Sequence, residues 1–258
     1  MSARGAKPAG STDEASAAAA VREMFDGIAP RYDTLNHVLS LNVDRLWWWR
    51  TARRFRGVLE RPEAAVLDLC CGTGDMTLAL LRHRPDGALP ILAVDFSHQM
   101  LVRGANKFTG RSAASARAVA IEADALHLPL ANDSTDLITT AFGFRNLANY
   151  RAGLEEFHRV LKPGAELGIL DFSEPGGIPG RLYNYYFNRI LPWIGSKISG
   201  IAGPYTYLPT SVRNFPAPGE LMATMQDVGF TYVSWTPYTF GVAGLYRAVK
   251  QRQPLPQA

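Results

Sequence analysis

The sequence predicts an α/β protein. One mostly parallel β-sheet carries helices on both faces, and an antiparallel strand closes it at its C-terminal side. Three observations carry this. Short apolar runs alternate with helically periodic stretches from residue 64 to residue 172. A Gly-x-Gly turn, Gly72-Thr73-Gly74, falls between the first run and the first of those helices. The chain has 258 residues, 47% hydrophobic and 19% charged, which suits one large core and excludes collagen-like, disulfide-scaffold and wholly disordered chains.

The elements follow in order. Residues 1–16 are small and polar and read as a disordered tail. Helical periodicity starts at residue 17. Residues 64–70 (AAVLDLC) predict a buried strand and 75–81 a helix. Residues 91–95 (ILAVD) are a second strand, with a helix from about Ser97. Strands at 118–122 and 136–142 follow, then a helix over 150–161 that Lys162-Pro163-Gly164 should stop. Residues 166–172 are a fifth strand. The tail differs: 181–199 is apolar and aromatic, 218–228 reads as a helix, and 230–235 with 240–249 as an antiparallel pair. Nothing marks a second domain, so 17–252 is read as one.

Charge and cysteine usage restrict the classes. The net charge of +4 permits anionic partners without demanding them. Cys70 and Cys71 are adjacent, a poor disulfide, which favours a reducing compartment and a packing role. The five histidines are scattered, so no metal site is expected. Asp13 and Glu14 stand where an export signal needs its apolar run, and no stretch of about 18 apolar residues occurs. A cytoplasmic chain that does not span a membrane is expected.

The glycine turn is informative through its neighbours. A dinucleotide fingerprint needs a third glycine where Thr77 stands. Instead Asp68 precedes the first glycine, where an anion repels a pyrophosphate but suits a sulfonium amino acid. Asp95 ends the second strand, where a carboxylate can accept two ribose hydroxyls. Asp124, beside Ala125, follows the third, where an adenine edge can be met. Parallel strands converge at one crevice, so this pattern points to S-adenosylmethionine. The expected cofactor site is Asp68, Gly72, Thr73, Gly74, Asp95, Asp124 and Ala125. The plain alternative is that the acids cap helices and form turns.

The chain resembles the class I S-adenosylmethionine-dependent methyltransferases, and within them the quinone C-methyltransferases of menaquinone and ubiquinone biosynthesis. The matching residues are MFDGIAPRYD at 24–33, Leu35-Asn36-His37, Asp44-Arg45-Leu46-Trp47, the loop at 67–77, Phe142-Gly143-Phe144-Arg145-Asn146, RVLKPG at 159–164 and YTYLPTSVRNFP at 205–216. The resemblance implies a Rossmann-like seven-stranded sheet, a helical lid at 17–62 and an aromatic insertion for quinone access at 178–215. It implies C-methylation of demethylmenaquinol, because 182–195 and 237–242 look more like the menaquinone branch. An enzyme that also serves the ubiquinone precursor, or one acting on another small molecule, stays open.

Such a reaction needs a group that favours the quinol phenolate. Arg145, just past the fourth strand, is the candidate, acting through a water that Asn146 orients. The alternative is that Arg145 pairs with an acid to hold its loop. Tyr32 is implied as lid or proton relay, or else packs with Phe25 as core; His37 is a weaker candidate.

Residues 45–61 hold six arginines against one glutamate. At helical spacing Trp48, Ala52, Phe55 and Leu59 share one face, and Arg50, Arg54 and Arg61 the other with Trp47 beside them. That suits a membrane interface as well as a solvated face. Residues 182–198, with Tyr183, Tyr185, Tyr186, Phe187 and Trp193, are the candidate for the isoprenoid tail. Peripheral membrane contact is therefore expected. The slot after the fourth strand lacks the [DN]-P-P-[YF] of base-modifying enzymes, so no nucleic-acid partner is expected. Monomer and homodimer stay open.

Overall fold

The computed structural model describes residues 5–8, 10–33, 40, 42–108, 117–177, 180 and 203–252. Its centre is a seven-stranded sheet of order β3-β2-β1-β4-β5-β7-β6. The strands are β1 Val66–Leu69, β2 Ile91–Asp95, β3 Ala118–Glu122, β4 Thr135–Ala141, β5 Leu161–Phe172, β6 Phe230–Tyr238 and β7 Ala243–Lys250. β1 to β5 are mutually parallel, while β7 runs antiparallel to both neighbours. The last strand in sequence is thus inserted between β5 and β6 rather than laid on the edge.

Period-two alternation assigns each strand residue to a layer. Val66 packs with Leu80, Ile91, Trp48 and Phe55 on one face, while Leu67 and Leu69 pack with Phe157, Leu167 and Tyr246 on the other. The helices are α1 Glu14–Ile28, α2 Val43–Arg54, α3 Arg56–Leu59, α4 Asp75–Leu81, α5 His98–Phe108, α6 Tyr150–Val160, α7 Gly203–Asn214 and α8 Pro218–Val228. Strand order reverses between β2 and β4 across β1, the switch point at which open α/β sheets bind ligands.

Several expectations change. The helix at the N-terminus begins inside the segment read as tail. Asp13 caps α1, accepting from Ser16 N at 2.7 Å, and Ala6 donates to Leu147 O at 2.8 Å. The helix before Lys162-Pro163-Gly164 ends at Val160, as expected, but the tripeptide itself belongs to β5. Helix α6 passes directly into β5, and the extra residues shift the β4–β5 register between Thr135 and Leu137. Of the segment expected as a lid, α2 and α3 pack one face on the core instead: Trp48, Ala52, Phe55 and Leu59 share a face, as expected, and that face is buried. Trp47 is buried with them, not placed among the arginines, because its indole N–H reaches Thr239 Oγ1 at 2.8 Å. His37 and most of 178–215, including 182–198, lie outside the described residues.

Candidate active site

A cleft of about 730 Å³, counting space open to solvent, lies beyond the C-terminal ends of β1, β2 and β4. Cys70 and Gly72 line it from the turn after β1, Asp95 and Phe96 from the end of β2, and Asp124 and Ala125 from after β3. Phe142, Gly143 and Asn146 line it from after β4. Ala18, Phe25 and Tyr32 close it from α1 and the turn that follows.

The glycine turn is shaped by its backbone. Gly74 caps α4 in the left-handed region, φ 85°, and a Cβ there would lie 2.6 Å from the Phe108 ring. Gly143, with an ordinary backbone, is constrained by space alone: its Cβ would lie 2.2 Å from that of Cys70. The turns after β1 and β4 therefore touch, which only glycine allows.

The three strand-end acids have different surroundings. Asp95 is buried; it accepts from Gly72 N at 2.8 Å and Ser97 N at 2.9 Å. Burial raises its pKa to about 6, and those N–H bonds oppose the rise. Asp124 is exposed and accepts from Leu126 N at 2.9 Å. Asp68 does not line the cleft, contrary to expectation. It lies on the same face of β1 as Val66, under α4, fully buried, accepting from Thr77 Oγ1 at 2.6 Å and Thr139 Oγ1 at 2.9 Å. Burial pushes its pKa up to about 7. Thr73 and Gly74 also shape the turn without lining the cleft.

The N-terminal segment is fastened over this turn by two carboxylates that the sequence reading did not select. Asp26 accepts from Ser97 Oγ at 2.5 Å. Asp33 accepts from the Thr73 hydroxyl and pairs with Lys107 at 2.6 Å. They are two helical turns apart, a spacing visible in the sequence. Tyr32, between them, lies 3.8 Å from the Cβ position of Gly72, and its ring meets Phe25 edge-on at 6.0 Å between centroids. Tyr32 thus packs on Phe25, and both rings line the cleft.

On the other side, Arg145 forms the ion pair that the sequence left as an alternative. Its Nη1 lies 2.9 Å from Asp171 Oδ1 and also donates to Phe142 O, while its backbone N–H reaches Asp171 Oδ2 at 3.0 Å. Burial would lower the guanidinium pKa, but Asp171 together with Tyr32 and Tyr207 holds it above its ordinary value. Arg145 Nε is buried without a hydrogen-bond partner among the described residues. Of this pair of neighbours, Asn146 is the one that lines the cleft. Its Oδ1 accepts from Tyr207 Oη at 3.1 Å. Tyr207 lies in the YTYLPTSVRNFP stretch at 205–216, yet nothing local signals that it reaches Asn146.

Cys71 is buried in the core and Cys70 packs at the cleft edge. Burial pushes both thiols well above their usual range, which fits packing rather than nucleophilic chemistry. Among the described residues no cluster of His, Cys, Asp or Glu is placed to hold a metal ion.

The model of the ubiE/COQ5 methyltransferase family matches residues 12–250. The chain belongs to that family. A Deinococcus radiodurans protein named demethylmenaquinone methyltransferase is 43% identical over 250 residues, 95% of this chain and 98% of its own length. One of the same name from Thermus thermophilus is 44% identical, covering 86% and 98%. A Geotalea daltonii protein named ubiquinone/menaquinone biosynthesis C-methyltransferase UbiE is 40% identical, covering 89% and 96%. Among solved structures, the [4+2]-cyclase SpnF superposes with a TM-score of 0.66 at 16% identity, covering 98% of this chain and 100% of that one. A SAM-dependent methyltransferase from Aquifex aeolicus gives 0.52 at 19% identity, covering 74% and 84%. At those identities the superpositions establish the fold alone, and the sequence relatives establish this family member's closer kinship.

Proposed function

We propose that the chain is a demethylmenaquinone methyltransferase, an S-adenosylmethionine-dependent enzyme that methylates a ring carbon of demethylmenaquinol in menaquinone biosynthesis. What carries the reading is the identity of 43% and 44%, over most of the chain, to two relatives named for that activity. The cleft fits the cofactor. It combines a buried carboxylate, a glycine turn open to close approach, and apolar walls from Phe96, Met100 and Leu126. When bound, S-adenosylmethionine supplies an electrophilic methyl group on a sulfonium sulfur.

The residues then divide the work. Asp95 accepts the ribose hydroxyls; it can do so while keeping its Gly72 and Ser97 bonds, because a carboxylate has about four acceptor sites. Asp124 and the Ala125 backbone meet the adenine edge. Gly72 lets the ligand approach the backbone, and Asp68, Thr73 and Gly74 hold the turn in shape from behind. On the acceptor side, a quinol carbon becomes nucleophilic once its neighbouring hydroxyl ionises. Arg145 favours that ionisation electrostatically from behind the turn after β4. It stays protonated, so the proton passes to water, which Asn146 orients. Tyr32 closes the cleft from above. The isoprenoid tail keeps the acceptor in a bilayer, so the reading includes a cytoplasmic protein in peripheral contact with the membrane.

The experiment is incubation with deuteromethyl-labelled S-adenosylmethionine and two reduced acceptors in detergent, demethylmenaquinol and the demethylated ubiquinone precursor. Mass spectrometry should find label on demethylmenaquinol alone. Label on neither acceptor, with the cofactor bound, would overturn the acceptor assignment.

A further inference from the structure

We propose that the outer face of α2, together with the turn after β6, is the surface by which this protein docks on an anionic phospholipid bilayer. The inference rests on the quinol reading above and adds which surface makes the contact. Leu46 and Trp49, one helical turn apart, are 47% and 41% exposed, unlike their buried neighbours Trp47 and Trp48. Phe240 is 83% exposed and sits in the left-handed region at φ 57°, a conformation side-chain-bearing residues rarely adopt. The two segments are joined. Trp47 donates to Thr239, and the Arg50 guanidinium lies 5.3 Å from the Tyr238 ring centre. Three large apolar side chains therefore project from one connected surface.

Arginines surround them. Arg45, Arg50 and Arg53 are exposed on the same helix, and Arg53 lies 5.3 Å over the Trp49 ring. The only acids of residues 43–61 do not offset them. Asp44 is buried, and Glu60 is bound to Arg56 at 2.5 Å. Apolar tips within a cationic rim match the acyl boundary and phosphate layer of an anionic bilayer. A second copy of the chain on this face would set arginine against arginine. Nucleic acid satisfies the arginines but leaves Leu46 without a base-stacking role. Just inside the face, Trp47 meets Phe142 at 5.7 Å between ring centres, and Phe142 lines the cleft. Docking here brings the bilayer to the aromatic side of the site.

The test is co-sedimentation of the full chain with phosphatidylglycerol vesicles and with phosphatidylcholine vesicles, alongside a single-stranded RNA competitor. The wild type should bind the anionic vesicles at low salt and be released by high salt. The triple variant Leu46→Ser, Trp49→Ser, Phe240→Ser should lose about tenfold in vesicle binding while its affinity for S-adenosylmethionine stays unchanged. The charge-reversed variant Arg45→Glu, Arg53→Glu covers the case in which the triple variant does not fold, and should lose vesicle binding too. Turnover of a short-chain, water-soluble acceptor should be unchanged in both variants, and turnover of a long-chain acceptor in vesicles should fall about tenfold. A wild type that fails to sediment, a folded variant that sediments like wild type, or RNA that displaces the vesicles would overturn the proposal. Vesicle binding without methylation of any quinol would remove the acceptor reading and leave the docking surface standing.

Discussion

On the β1–β3 side, the two strand-end carboxylates that line the cleft are held by backbone N–H groups. Gly72 and Ser97 hold Asp95, and Leu126 holds Asp124. On the β4–β5 side, side chains hold one another across long stretches of chain. Arg145 meets Asp171 across 26 positions, and Asn146 meets Tyr207 across 61. A carboxylate on backbone amides can lose its charge while an amide oxygen keeps one of the bonds, so substitution there should register mainly in ligand binding. A buried ion pair cannot lose one member cheaply, because the survivor is left charged in a low-dielectric interior. Substitution there should register in stability first and in turnover second.

The sharpest way to break this comparison is Asp171→Ala. It strands a buried guanidinium and should cost about 3–5 kcal/mol of unfolding free energy. Urea titration measures it, and a loss below about 1 kcal/mol would mean that the pair does not hold this side together. Next is Arg145→Lys, which keeps the charge but not the planar fork. It should lower turnover about 100-fold with cofactor affinity little changed. A parallel fall in both, measured by initial rates and calorimetry, would make Arg145 purely a holder of its turn.

On the other side, Asp95→Asn loses the anion and retains an acceptor for only one of Gly72 and Ser97, turning its NH2 toward the other N–H. Affinity for S-adenosylmethionine should drop about 30-fold, the roughly 2 kcal/mol of a charge-assisted hydrogen bond, and urea titration should show about 1–3 kcal/mol lost for the backbone N–H left without an acceptor. Wild-type affinity should also rise as pH increases through about 6, where Asp95 ionises, and the variant should lose that dependence.

A further contrast lies between Asp68 and the acids that face the cleft. Its pKa of about 7 exceeds the unfolded value of 3.8, so the folded state binds the proton more tightly. That contribution to stability is complete below about pH 4 and is lost as pH rises through about 7. Asp68→Asn should flatten this part of the stability–pH curve, as thermal unfolding from pH 4 to 8 would show. An unchanged slope would place its source elsewhere. The smallest expected effect is Tyr207→Phe. Freeing the Asn146 amide should cost about 0.5–1.5 kcal/mol, a few-fold in kcat, with cofactor affinity unchanged. A kcat equal to wild type would show that Asn146 needs no such support.

Much of the architecture was legible because it is local. Strand β3, helices α4 and α8 and the glycine turn stand at their predicted residues, since period-two and period-3.6 patterns and left-handed glycines act within a few positions. The approach of Asp95 and Asp124 to one crevice was also legible, because parallel strands bring their ends together whatever covers them. Other features depended on which layers meet. Asp68 shares a face with Val66, as alternation requires, but only the packing of α4 over that face decides that threonines, not a ligand, receive its carboxylate. Likewise helical spacing could not tell that Trp47 would be drawn inward by Thr239, a residue 192 positions away. Sequence alone determined the elements, their order and the turn between them, because those are set by neighbours along the chain. The tertiary structure decided which charges are paired and which face the cleft, because burial and partnership depend on atoms that meet only after the layers close.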